Sequence, residues 1–412
     1  MSINQNFPNV WPSLVLDFEN SKTLDPRISF GRSSTATYVG SNGLIKTAPV
    51  DEARFDHDPV TGESLGLLIE ESRTNLITRS TATGATNGVI GSGGALPSGW
   101  NFDQMQPGIT VEIIGSGTEK GLTYVDIRFS GTPTTTNRTL IRPGSFFTIN
   151  GETYYLTAYS KLVSGTNNLS HTNFDYGALS LTSELKRNTG AIRSGLTGTF
   201  YPRFDIGMNA VGQPCDITIR FAAPQMELGA FSTSYIPTSG SAVTREPDIT
   251  KITGTNFSSW YNQNEGTIVY ESALTHFPRN LAYKLLFSIN AGTGGQDNVI
   301  HALAVESSTI VLSAIWNNSS PQYTQYSRGL SNYVANDLKF TIGYKDNDVR
   351  SYMESAGFLD TVADNNVTIP KSMVRFDIGH VLDNRHSAKQ HVKQIRYYPE
   401  RLTNDQLQNL TK

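Results

Sequence analysis

The sequence is poor in cysteine, in charge and in long apolar runs, and each shortage excludes something. One cysteine, Cys215, stands among 412 residues, so no internal disulfide forms and a thiolate zinc site cannot be assembled. Charged residues make up only 17% of the chain and nearly cancel, 33 Lys and Arg against 36 Asp and Glu. A general nucleic-acid binder carries a basic surplus, so no nucleic-acid partner is expected. No stretch approaches the roughly 18 apolar residues of a membrane-spanning helix, and no membrane insertion is expected. The opening run Met1-Ser2-Ile3-Asn4-Gln5-Asn6-Phe7-Pro8 has no charged segment ahead of an apolar one and does not read as a secretory signal.

Signatures of chemistry are also scarce. The chain contains neither a phosphate-binding Gly-x-x-x-x-Gly-Lys-Ser/Thr nor a His-Glu-x-x-His. Gly115-Ser116-Gly117 followed by Gly121 misses the dinucleotide spacing and opens no helix. Glu70 and Glu71 are adjacent, so in a strand they point to opposite faces and cannot act as a carboxylate pair. His380, His386 and His391 read as polar residues around a loop, since a metal needs ligand number and geometry together. No catalytic residue, metal ligand or cofactor is therefore assigned.

What is present points to an all-β protein. Hydrophobic residues reach 37%, enough for real cores, and 36 Gly and 18 Pro punctuate short runs. Val125, Ile127 and Phe129 alternate with polar residues, as do Ile217, Ile219 and Phe221. Thr153–Tyr159 is apolar on both faces and predicts a central strand, and Ile310–Trp316 predicts a buried one. Leu338, Phe340, Ile342 and Tyr344, then Lys345-Asp346-Asn347-Asp348, then Val349, Ser351 and Met353 predict a hairpin. Thr403 and Gln406 match a capping box, with Leu402 and Leu407 placed for a hydrophobic staple, so a short C-terminal helix is expected.

The expected fold is two antiparallel β-sandwich, jelly-roll domains after an irregular N-terminal segment. Residues 1–75 are proline-rich with short apolar runs, and the charged stretch Asp51–Pro59 cannot form a core by itself. This segment is expected to lie on another surface, either the later domains or a partner. The two sandwiches are expected over 76–248 and 249–412, divided near Thr238-Ser239-Gly240-Ser241. Sugar rings stack on aromatic faces, which makes Trp100, Trp260, Trp316, Tyr154 and Tyr323 the aromatics to weigh, most of them as core. Trp316 ends a strand before an Asn- and Ser-rich turn. It is taken with Asn317 and the hairpin turn Asp346, Asn347 and Asp348 as the carbohydrate-binding candidate. The same turn carries oxygen ligands suited to calcium, although Asp and Asn are also ordinary turn formers.

Several strings resemble a known family. Pro12-Ser13-Leu14-Val15-Leu16-Asp17-Phe18, Asp25–Phe30, Arg32–Val39, and Arg54–Gly62 leading into Leu67–Leu76 resemble a segment of tailed-bacteriophage virion proteins. The middle part is similar to carbohydrate-binding-module jelly rolls and closes on Pro224–Phe231 and Ser234–Thr238. The last part resembles a concanavalin-A-like lectin/glucanase sandwich, through Trp260 before Gly266–Glu271 and Ile395–Pro399 before Leu402. The resemblance implies a virion structural protein, a capsid decoration protein or fibre, made in the host cytoplasm. It implies anchoring through residues 1–75, with Arg54, Phe55, Asp56, His57 and Asp58 as particle-docking residues. Implied partners are the major capsid protein or tail and neck proteins, further copies in a homotrimer, and host-surface glycans. The catalytic carboxylate motifs of the glucanases are not visible, so no enzyme activity is carried over. A tail receptor-binding protein is the first alternative and a glycan-cleaving enzyme the second.

Overall fold

Alternation of apolar and polar residues builds nearly every element. The computed structural model describes residues 7–412 apart from 168, 176, 194, 196, 209, 230, 275–283, 294–296, 306–309, 328–334, 355–365 and 383–388. The fold is all-β, with antiparallel sheets and two short helices among the described residues. The chain forms two units. One comprises Met1–Gly43, Thr47–Ser72 and Glu246–Lys412, and the other Leu44–Lys46 and Arg73–Arg245.

The first unit contains two seven-stranded sheets. One runs Asp348–Glu354, Ala335–Lys345, Glu265–Leu274, Gln390–Tyr398, Ser64–Ile69 and Arg54–His57, with Leu14–Asp17 also pairing to Gln390–Tyr398. The other runs Ser29–Gly31, Ile249–Thr253, Arg375–Ile378, Lys284–Asn290, Asn298–Val305, Ile310–Asn317 and Ser320–Ser327. A single apolar cluster takes Leu16, Leu67, Ile268, Phe340 and Ile395 from the first sheet and Ile252, Phe287, Ile315 and Phe376 from the second. Each such side chain stabilises the unit by about 1.5–3 kcal/mol on burial. Leu14–Asp17, Ser29–Gly31, Arg54–His57 and Ser64–Ile69 are therefore strands of these sheets. Their short apolar runs find the missing half of their core in residues 246–412. The unit boundaries fall at 43/44, 46/47, 72/73 and 245/246, where the sequence reading placed its divisions at 75/76 and 248/249.

Local devices expected from sequence recur here. Phe340 lies opposite Met353 and Tyr344 opposite Val349 across the hairpin, and Asn347 turns it at φ 61°. At the C-terminus Thr403 Oγ1 accepts the Gln406 backbone N–H at 3.3 Å, and Gln406 Oε1 accepts the Thr403 N–H at 3.0 Å. This box opens the helix Asn404–Leu410, and Leu402 and Leu407 pack into one cluster with Val269, Tyr352 and Tyr398.

The second unit pairs a five-stranded and a seven-stranded sheet over one core. The smaller runs Asn101–Gln104, Thr139–Arg142, Phe204–Met208, Leu169–Phe174 and Gly177–Ala178. The larger runs Lys186–Arg193, Thr153–Gly165, Cys215–Leu228, Leu122–Gly131, Ile109–Glu119, Gly88–Ile90 and Gly93–Gly94. Thr153–Gly165 is paired on both edges, as its two apolar faces predict. Val125, Ile127 and Phe129 lie opposite Phe221, Ile219 and Ile217 and point into the core. Between them Arg220 faces outward and holds Asp126 by two bonds of 2.8 and 2.7 Å. Phe204 joins the sheets, 4.7 Å from both Phe174 and Phe221. The chain then closes on Asn75, whose Oδ1 accepts Ile77 and Met226 N–H groups and whose Nδ2 donates to Ile236 O.

Candidate functional site

The expected sugar cluster is brought together only in part. Trp316 and Asn317 end the strand Ile310–Asn317, with Trp316 half-buried. Asn317 Nδ2 donates to Thr368 O at 3.3 Å, and Asp346 Oδ1 accepts the Ile369 N–H at 2.8 Å. The two turns therefore flank one segment, residues 366–373, rather than an open groove between them. Asp346 also takes Lys371 at 3.0 Å, which with the Ile369 N–H holds its carboxyl below the usual carboxylate range despite some burial. Asp348 is held instead by Arg401 at 2.8 Å, so the two turn carboxylates have different partners. Trp100, Trp260, Tyr154 and Tyr323 are buried and offer no platform.

The expected docking residues are mostly inside. Arg54, Phe55 and His57 are buried, and the Asp56 carboxylate is taken by the Val39 N–H at 2.7 Å and His391 Nε2 at 2.8 Å. Asp58 stabilises its own turn by accepting the Val60 and Thr61 N–H groups, both at 2.8 Å. The charge of Arg54 is neutralised within the unit. Arg54 Nη1 donates to Glu70 at 2.8 Å and Nη2 to Asp248 at 2.5 Å, while Arg32 Nη1 meets Asp248 at 3.0 Å. Burial alone lowers the Arg54 pKa, but the Asp248 and Glu70 carboxylates outweigh it and raise it. His380 bonds Thr250, His391 bonds Asp56, and His386 lies outside the described residues. Among the described residues no three His, Cys, Asp or Glu side chains are grouped to hold a metal.

A different polar face lies on the second unit, on the side of the five-stranded sheet away from its core. Thr139 and Ile141 point inward opposite Ile206 and Phe204. Strand alternation then turns Arg138, Leu140 and Arg142 outward, and Asp205 with them, opposite Leu140. Asp103 Oδ1 lies 3.2 Å from Arg142 Nη1, and its Oδ2 accepts Arg203 Nε at 2.6 Å. Asp205 Oδ2 accepts Arg138 Nη1, and its buried Oδ1 has no hydrogen-bond partner among the described residues. The Arg142 guanidinium sits 4.5 Å from the centre of the exposed Tyr201 ring. Asp175 accepts the Arg203 backbone N–H at 2.8 Å, and burial pushes its carboxyl up to about 7, with the Asp205 charge adding to the rise. Burial also raises Asp205 against the pull of Arg138, His171 and Arg203.

The sequence reading missed this face. The signal was Arg138 and Arg142 flanking Leu140 on one side of the strand Thr139–Arg142, and Arg203 and Asp205 alternating with Phe204 and Ile206. Such a face, planar polar groups around one aromatic ring, can bind a saccharide, with hydroxyls hydrogen-bonded and ring C–H groups against the aromatic.

No protein-family model matches the sequence, and no curated protein matches it. Among solved structures, the chain is similar to the carbohydrate-binding module CBM40 of Ruminococcus gnavus IT-sialidase bound to alpha2,3 sialyllactose. The identity is 16%, the match covers 38% of this chain and 86% of that one, and the TM-score is 0.32. It is also similar to the tripod from the baseplate of bacteriophage Tuc2009, at 13% identity over 74% of this chain and 99% of that one, with a TM-score of 0.26. A third is the tandem CBM22 domain of Paenibacillus barcinonensis Xyn10C, at 9% identity over 77% and 98%, with a TM-score of 0.21. Likenesses of this strength transfer nothing to the chain.

Proposed function

We propose that this chain is a structural protein of a tailed-bacteriophage virion, a decoration protein or fibre, whose second unit binds host-surface glycans. The observation that carries the glycan reading is the face of Arg138, Arg142, Arg203, Asp103 and Asp205 beside Tyr201. Its carboxylates orient the guanidiniums before any ligand arrives, so little side-chain entropy is lost on binding. The virion reading is supported by the resemblance of the strings in residues 12–76. Over residues 7–76 the most exposed large apolar side chains are Phe7, Trp11 and Val60, at 63%, 89% and 80% exposure, ahead of Val15, Leu44 and Val50, whereas Phe55 is buried. These are the residues proposed to meet the particle, through the major capsid protein or tail and neck proteins. A homotrimer is proposed by family analogy alone.

Gold labelling of intact virions with an antibody against the second unit tests the assignment. Dense label over the head is expected for a decoration protein or head fibre. Label confined to the tail makes the chain a receptor-binding protein using the same face, and no label on any particle overturns the virion reading.

A further inference from the structure

Three guanidiniums meet two carboxylates on the outer face of the five-stranded sheet. Asp103 takes one contact from Arg142 and one from Arg203, and Asp205 takes one from Arg138. A guanidinium carries five N–H groups, so most of them are still unused. Among the described residues, both Nη atoms of Arg203 and the Nε and Nη2 atoms of Arg138 and Arg142 have no protein partner. The three side chains are 42%, 26% and 38% exposed for Arg138, Arg142 and Arg203. In a chain of net charge −3, this face keeps a positive balance. Asp175 subtracts less than a full charge from it near neutral pH, because burial pushes its carboxyl up to about 7.

We infer that the ligand of this face is an acidic saccharide, one whose rings carry carboxylates. This rests on the glycan reading above and narrows it. A guanidinium pairs a carboxylate through two parallel charge-assisted bonds, which a neutral hydroxyl cannot reproduce. The Arg142 guanidinium lies 4.5 Å from the centre of the Tyr201 ring, a contact that restricts its motion before a ligand arrives. A nucleic acid or polyphosphate is excluded by number: neutralising a row of phosphates takes a row of unpaired cations, and here two of three charges are already offset.

Affinity electrophoresis of the full chain tests this. Gels are cast with polygalacturonate or alginate, and in parallel with the same polymers after reduction of their carboxyl groups. The expected result is retardation by the acidic polymers at concentrations at least about tenfold lower than by the reduced ones. The double variant Arg142→Gln, Arg203→Gln is expected to lose the preference while keeping its circular dichroism and melting temperature. Equal retardation by acidic and reduced polymers overturns the acidic class and leaves the glycan reading standing. Retardation by none of the gels overturns both. A preference that survives in a natively folded double variant overturns the assignment to this face.

Discussion

Arg54 Nη2 lies 2.5 Å from Asp248 Oδ2 across 194 positions of sequence, and neither side chain reaches solvent. Glu70 and Arg32 join the group, so two positive and two negative side chains meet inside the first unit. The Glu70 N–H also donates to Asp248 Oδ2 at 2.8 Å, and the Asp248 N–H to Glu70 O at 3.0 Å. The network fastens the early strands to the beginning of the C-terminal segment.

Removing one member leaves a buried, uncompensated charge. Arg54→Met is expected to destabilise the first unit by about 3–5 kcal/mol. A urea titration measures this, and an unchanged midpoint would contradict it.

Gly66 stands at φ 92°, where an added Cβ would lie 2.3 Å from Val392 O in the neighbouring strand. Neither the conformation nor the backbone contact can relax cheaply. Gly66→Ala is expected to cost roughly 3 kcal/mol or more, read from thermal unfolding.

The Asp175 carboxyl makes the second unit sensitive to alkali. Burial raises it to about 7 from an ordinary 3.8, so the unfolded chain releases this proton at lower pH than the folded one. The stabilisation is complete below pH 3.8 and is lost as pH rises through 7. Asp175→Asn keeps an acceptor for the Arg203 N–H and removes this slope. At pH 8 it should be more stable than the wild type by on the order of a few kcal/mol. Parallel pH–stability curves for the two proteins would contradict the assignment.

Loss of the helix cap is a smaller effect. Thr403→Ala removes the acceptor for the Gln406 N–H, and a loss of about 1 kcal/mol is expected in denaturant titration.

Sequence showed what is local. The hairpin around Asn347, the central strand Thr153–Gly165 and the capping box at Thr403 are set by neighbours a few residues apart, and alternation or a cap motif reveals them. The pairing of Leu14 with Tyr397 depends on residues at opposite ends of the chain, and no local pattern encodes it. Arg54 to Asp58 looked like a solvated or partner-facing run because the carboxylates that neutralise Arg54 come from Glu70 and Asp248. Both Arg54 and Glu70 lie within the strings that carry the phage resemblance. For the site, Trp316 drew attention as an aromatic beside a turn. Arg138, Arg142 and Asp205 did not, because their common face exists only through the register that sets Leu140 against Asp205.

Binding of the full chain to an array of surface glycans from tailed-phage hosts tests the central claim most directly. Wild type, Arg142→Gln, Tyr201→Ala and Trp316→Ala are compared on the same array. The account predicts that wild type and Trp316→Ala bind alike, while Arg142→Gln and Tyr201→Ala lose about tenfold or more in affinity. No binding by the wild type, or full binding by Arg142→Gln and Tyr201→Ala with loss in Trp316→Ala, would contradict it.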